Sequence, residues 1–131
     1  MIELLRKHLG NLRDKRIGVL GLAFKPDTDD VRESRALFVV DRLLKEGAKV
    51  VAYDPKAMEN FKRIFGQIDY ANASEVMGCD AILIVTEWKE FEKLDYTGKI
   101  VIDGRRIEKA RKEAKIMKML MKLREGNDTK N

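Results

Sequence analysis

The chain has 131 residues, 37% of them charged, a formal net charge of +5, one cysteine and one histidine. That length suits one domain with its own hydrophobic core, while a lone Cys79 excludes an internal disulfide and, with only His8 beside it, a zinc-type Cys/His cluster. The positive excess lies wholly beyond Gly104, the preceding residues being almost neutral, so the charge marks a basic tail and not a basic domain.

Ile2, Leu4, Leu5, Leu9 and Leu12 place a leading amphipathic helix within residues 1–14. Ile17–Leu22, an apolar run entered through Lys15-Arg16, predicts a buried parallel strand. Asp30 and Glu33 have capping-box spacing, which starts the next helix near Val31. Ala36, Leu37, Val39, Val40, Leu43 and Leu44 give that helix a wide apolar face that stops at Gly47. A second strand runs over Ala48–Tyr53, and Asp54-Pro55 reads as N-cap and first residue of a helix through Phe61, Ile64 and Phe65 to Gly66. Ile68–Tyr70 is a short strand and Ala73–Met77 a brief helix. Ala81–Val85 is the strongest strand signal, Thr86 reads as an N-cap after it, and Lys99–Asp103 is the last strand.

Strands alternating with helices through short loops predict an α/β fold. It is a single Rossmann-like, doubly wound and mainly parallel sheet with helices on both faces, over residues 15–106. Ile107, Ala110, Ala114, Met117 and Met121, at helical spacing among basic residues, add a C-terminal amphipathic helix over residues 107–125. Residues 126–131 read as a polar, disordered tail.

The most informative segment is Gly21–Ser34, which sets a cation-bearing turn between an apolar strand and a capped helix. Gly18 and Gly21 stand where a dinucleotide fold carries its glycine fingerprint, but Phe24-Lys25-Pro26 replaces the third glycine. Pro26 biases Lys25 toward an extended conformation and holds it at the strand's carboxyl edge. Arg32, in the first turn of the following helix, would face the same crevice. Open α/β sheets bind ligands beyond the carboxyl ends of their strands, and Lys25, Arg32 and Arg105 all fall there, a convergence that suggests an anion.

Gly21–Ser34, together with Ala52-Tyr53-Asp54-Pro55, Thr86-Glu87-Trp88 and Asp103-Gly104-Arg105, resembles the C-terminal, UDP-binding domain of the UDP-glucose/GDP-mannose dehydrogenase family in order and spacing. The resemblance runs from about Leu4 to about Ala114, and its first segment is the specific one. It implies that Lys25 and Arg105 contact a UDP-sugar, that Phe24 walls the nucleotide site, and that Arg32 reaches NAD held by a partner domain. It also implies an NAD-dependent UDP-sugar 6-dehydrogenase whose N-terminal NAD domain and central, cysteine-bearing domain are not in this chain. The isolated chain is then expected to bind UDP or a UDP-sugar and to catalyse nothing, with no catalytic residue of its own. The missing domains are the expected partners, and a homo-oligomer formed mainly through the central domain is compatible with the family pattern. The family closes after Asp-Gly-Arg with an extended stretch, so the helix expected over residues 107–125 departs from it.

Other readings of single residues carry less. Asp27, Asp29 and Asp30 could hold magnesium, but capping and compensation of neighbouring cations explain them more simply, so no metal is expected. Asp54 sits where a dinucleotide fold keeps its ribose acid, yet the proline after it favours capping. Trp88 is expected to pack over a sheet edge or an interdomain seam, Cys79 to be a buried structural thiol, and His8 a surface residue of the leading helix. Nucleic-acid binding by the basic tail is disfavoured because no aromatic residue interleaves the cations. Met1–Lys7 is too charged for a signal peptide and no apolar run spans a bilayer, so a soluble cytoplasmic protein is expected. A non-catalytic regulatory or protein-interaction domain, acting through the C-terminal amphipathic helix, is the alternative function.

Overall fold

A computed structural model of the chain describes residues 1–103 and the main chain of Ile116–Lys118. The elements are α1 Ile2–Leu9, β1 Arg16–Leu20, α2 Arg35–Lys45, β2 Lys49–Tyr53, α3 Met58–Lys62, β3 Asp69–Tyr70, α4 Ala73–Val76 and β4 Ala81–Ile84. A single 3-10 turn, Lys89–Lys93, then leads to β5 Ile100–Asp103, and Ile116–Lys118 forms β6. The strand order is β3-β2-β1-β4-β5-β6, with every neighbouring pair parallel. This is the doubly wound α/β sheet expected from the alternation of elements.

The central strands are buried on both faces, which is why they read as unbroken apolar runs. All of β4 is buried, as is β1 after Arg16. The chain runs outward from β1 to β3 through α2 and α3, and α4 then returns it to β4; the right-handed rule for parallel crossovers puts α4 on the face opposite α2 and α3. Gly18 shows how tightly α4 seats on β1. A Cβ there would lie 2.7 Å from both Val76 Cγ1 and the Val76 carbonyl, so only glycine admits the helix. Leu5, Ile17, Leu43, Phe61, Ile82, Leu83, Phe91 and Tyr96 are among the fully buried side chains that weld the layers. The Tyr96 hydroxyl is satisfied by donating to the Phe91 carbonyl at 2.7 Å.

Besides the shortening of the helix read from Pro55 to Gly66, which is confined to Met58–Lys62, two expectations about the elements change. The helix proposed to begin near Val31 begins instead at Arg35, capped by the buried Ser34, whose hydroxyl accepts from the Ala36 N–H at 3.1 Å. Asp30 is unavailable as a cap because its carbonyl receives the Phe24 N–H and its carboxylate receives Arg32, while Glu33 takes the left-handed conformation (φ 59°) that a helix cannot pass through. The second change concerns the C-terminal amphipathic helix over residues 107–125. Most of it lies outside the described residues, but Ile116–Lys118 is an edge strand paired in parallel with β5, with Met117 opposite Val101. A neighbouring strand with free main-chain groups offers this apolar stretch a ladder that helical spacing alone does not reveal. The 126–131 tail lies outside the described residues. Among the described residues no helix is long and apolar enough to cross a membrane.

Candidate functional site at the carboxyl edge of the sheet

The strands β1, β2 and β4 end together, and the segment after β1 runs over this edge for fourteen residues before α2 begins. Its first residue, Gly21, has φ 97° and lies against β4's exit. A Cβ at this position would fall 2.4 Å from the Thr86 nitrogen and 2.8 Å from the Thr86 Cα, which no side chain tolerates. The Thr86 hydroxyl then donates to the Ala23 carbonyl at 2.6 Å. Thr86 is therefore not the N-cap expected of it: the following 3-10 turn starts after Trp88, and the threonine is spent on joining β4 to the segment after β1.

Asp54, fully buried at the end of β2, is the centre of this edge. Its Oδ1 accepts the N–H groups of Lys56 and Ala57 at 2.9 and 2.8 Å and so closes the turn ahead of α3; the helix expected to start at Pro55 starts at Met58, with Ala57 and not Asp54 at its N-cap. Its Oδ2 accepts the N–H groups of Leu22 and Ala23 at 2.7 and 3.0 Å and the indole N–H of Trp88 at 3.1 Å. Five donors from three segments thus offset the cost of burying one carboxylate. Trp88, 6% exposed, is accordingly packed at the carboxyl edge of the sheet, the first of the two positions expected for it, and not left open as an interdomain surface.

Beyond Ala23 the loop turns outward. The Phe24 N–H donates to the Asp30 carbonyl at 2.7 Å, so residues 25–29 bulge as a closed loop. Within it Pro26 is followed by Asp27 at φ 68°, the arrangement of a type II turn, and the Thr28 hydroxyl accepts the Asp30 N–H at 3.2 Å. Asn60, from α3, fastens the far side by donating to the Asp29 carbonyl at 2.8 Å. The loop is thus fixed at 22, 23, 24, 29 and 30 while Phe24 and Lys25 stay at the surface, Phe24 being 48% exposed.

Arg32 lies on the same loop, not in the first turn of a helix. Its guanidinium forms a two-point pair with Asp30, Nε to Oδ1 at 3.0 Å and Nη2 to Oδ2 at 2.8 Å. The pairing, reinforced by the Arg32 main-chain N–H, draws the Asp30 carboxyl down to about 2 and raises the arginine further. Arg105 lies outside the described residues; of the other two expected cations, Lys25 and Arg32 share this loop, Lys25 exposed and Arg32 paired with Asp30. Two open hollows run along the loop. One is lined by Asp27, Thr28, Asp29 and Lys56, the other by Thr28–Arg32 with Asn60, Arg63 and Ile64. Lys25 lines neither of these two and is exposed beyond the strand ends.

Among the described residues no three His, Cys, Asp or Glu side chains are placed to share a metal ion, and Asp30 is already engaged by Arg32. Cys79 is buried and its thiol is pushed up by burial, as suits a structural residue and not a nucleophile. His8 is half-buried on α1, more enclosed than the surface position expected. Sequence reading missed Asn60 and the reach of Asp54. No signal in the sequence joined Asp54 to Leu22, Ala23 and Trp88, because their need for an acceptor follows from burial that only the packed sheet creates.

The sequence pattern of the UDP-glucose/GDP-mannose dehydrogenase family, UDP binding domain, matches residues 18–110. The chain is 50% identical over 114 residues to the UDP-glucose 6-dehydrogenase AglM of Haloferax volcanii, covering 82% of this chain and 26% of that protein. It is 46% identical over 92 residues to the UDP-glucose 6-dehydrogenase of Rhizobium meliloti, covering 66% of this chain and 20% of the other. Among solved structures, a UDP-glucose dehydrogenase from Pyrobaculum islandicum superposes with a TM-score of 0.86 at 47% identity, covering 89% of this chain and 28% of that one. The chain thus spans about a quarter of the length of the relatives it matches. Its doubly wound sheet, its Gly21–Ser34 segment and this match together show that the chain belongs to the UDP-glucose/GDP-mannose dehydrogenase family, as that family's UDP-binding domain.

Proposed function

We propose that this chain binds UDP or a UDP-sugar at the carboxyl edge of its sheet, with Lys25 meeting the diphosphate region, Phe24 walling the nucleotide and Arg105 completing the cationic rim. The observation that carries this reading is the loop over residues 22–30. Four separate tethers hold it, yet its one lysine is left exposed beyond the strand ends. Fixed main chain with an outward cation is what a specific anion contact needs, since little ordering remains to be done on binding.

In this reading the domain forms one wall of an NAD-dependent UDP-sugar 6-dehydrogenase, and the oxidation belongs to the assembled enzyme. NAD itself does not fit the turn after β1, because the Leu22 and Ala23 N–H groups that a pyrophosphate would need are already bonded to Asp54. The cofactor is therefore assigned to another domain, with Arg32, whose side chain is 87% exposed, turned toward it from the loop. The outward Phe24, Phe38 and Ile64 supply apolar surface that the other dehydrogenase domains would cover. A cytoplasmic enzyme fits these assignments.

Calorimetric titration of the chain with UDP, ADP and NAD, beside the Lys25→Ala variant, tests the reading. UDP is expected to bind more tightly than ADP or NAD, and Lys25→Ala to weaken it by about tenfold to a hundredfold, the size of one charge-assisted contact. Equal affinity for UDP and ADP, or an affinity untouched by the substitution, removes the assignment.

A further inference from the structure

Main-chain N–H groups in the turn after the first strand of an α/β sheet form a seat for negative charge, which a dinucleotide fold offers to pyrophosphate. Here the seat is made by Leu22 and Ala23, directly after the turn glycine Gly21, and Asp54 Oδ2 lies in it at 2.7 and 3.0 Å. The carboxylate comes from the end of β2, the position from which a ribose-binding acid would otherwise point outward to a ligand. It points inward instead, and the same oxygen takes the indole N–H of Trp88 at 3.1 Å. The Thr86 hydroxyl, on the Ala23 carbonyl at 2.6 Å, shuts the gap between the β1 and β4 exits. The two N–H groups that would receive a phosphate here are thus already taken by the chain's own carboxylate.

We infer that Asp54 is a positioning residue that fills the anion seat after β1 with the chain's own carboxylate, and so displaces nucleotide binding from the strand-end crevice to the side chains of Phe24 and Lys25. The second half of this statement rests on the UDP reading above; the first half does not. By holding Leu22 and Ala23 against β2, Asp54 sets where the next two residues emerge. Lys25 follows its last tethered residue by only two positions, so a displacement of the turn moves the ammonium with it.

The test uses the intact chain labelled with ¹⁵N. Inorganic pyrophosphate and NAD are expected to leave the Leu22 and Ala23 amide signals and the single Trp indole signal in place, whereas UDP shifts the Phe24 and Lys25 amides. A saturable movement of the Leu22 and Ala23 amides with pyrophosphate overturns the inference, and this arm needs no variant to fold. Asp54→Asn, whose side-chain NH2 group must face a donor, is expected to raise the Kd for UDP tenfold or more at a temperature where its spectrum shows it folded. Trp88→Phe, which removes one donor but leaves the turn bonded, is expected to lower the Tm and keep the Kd within twofold. A merely structural Asp54 would make affinity follow stability in both variants alike, and a folded Asp54→Asn with native affinity also overturns the inference. Failure of UDP to bind the unaltered chain would instead sink the ligand reading, leaving the pyrophosphate arm to decide on Asp54.

Discussion

The connection from β3 to α4 and the connection from β1 to α2 both carry the chain off the carboxyl edge of one sheet, and they are held by opposite means. Apart from one main-chain bond, the Ala71 N–H on the Ala52 carbonyl at 3.0 Å, the first is closed within its own sequence. Tyr70 ends the strand, and Asn72 caps the helix by accepting the Glu75 N–H at 2.9 Å while Glu75 reaches back to the Asn72 N–H at 3.4 Å. The second spends fourteen residues and takes its tethers from Asp54, Asn60 and Thr86, which are 31 to 63 positions away. A local motif fixes a local turn cheaply, but it cannot aim a side chain relative to the rest of the sheet. Only contacts from neighbouring strands do that, and the long connection is the one that carries Lys25.

Substitutions that cut the distant tethers should therefore cost far more than those that cut the local cap. The largest expected effect is Asp54→Ala, which leaves four main-chain N–H groups and an indole N–H without their acceptor; at about 1–3 kcal/mol for each buried donor, and allowing for relaxation, a loss of about 4 kcal/mol or more should appear in urea unfolding. Gly21→Ala comes next. Its methyl would meet the Thr86 main chain at 2.4 Å at a φ of 97°, and calorimetry should record a loss of about 3 kcal/mol. Asn72→Ala, which removes only the local cap, should cost about 1 kcal/mol by the same measurement. If Asn72→Ala costs as much as Asp54→Ala, the contrast between the two connections is wrong.

The smallest effect belongs to the exposed pair on the loop. Asp30 is held near 2 by Arg32, against an ordinary value of 3.8, so its contribution is complete above pH 3.8 and fades as the pH falls through about 2. Arg32→Ala should return the Asp30 carboxyl toward its ordinary value in a ¹³C-detected titration while changing the Tm little, because the pair is solvated. A large Tm change would mean that the loop depends on this pair as well as on its distant tethers.

The elements buried on both faces were the most legible. Ile17–Leu22 and Ala81–Val85 stand out as apolar runs because a parallel strand in mid-sheet has no polar side to show, and both became central strands, shortened at their ends. The Asn72 helix was equally plain, its limits being set by neighbours in sequence. The start of α2 was misplaced because Asp30 and Glu33 satisfy the spacing rule as well as a real capping box does. What excludes them is that the Asp30 carbonyl closes the loop onto Phe24 and that Glu33 has a positive φ. Asp-Pro marked Asp54 as an acceptor for the N–H groups just after it, though in a turn and not at a helix start, but the use of its other oxygen was not legible, since Leu22, Ala23 and Trp88 become its neighbours only when β1, β2 and β4 end side by side.

The amino-acid sequence by itself determined the alternation of strands and helices, the glycines of the first turn and the family to which the Gly21–Ser34 segment points. These depend on patterns within a few residues, where side-chain size, periodicity and turn chemistry act directly. Tertiary structure alone decided where α2 begins, that Ile116–Lys118 joins the sheet edge, and that the carboxylate of Asp54 turns inward to hold the loop bearing Lys25. Each of those outcomes is a choice among partners for the same polar group or apolar segment, and the choice is made by whichever partner the packed sheet brings within hydrogen-bonding distance.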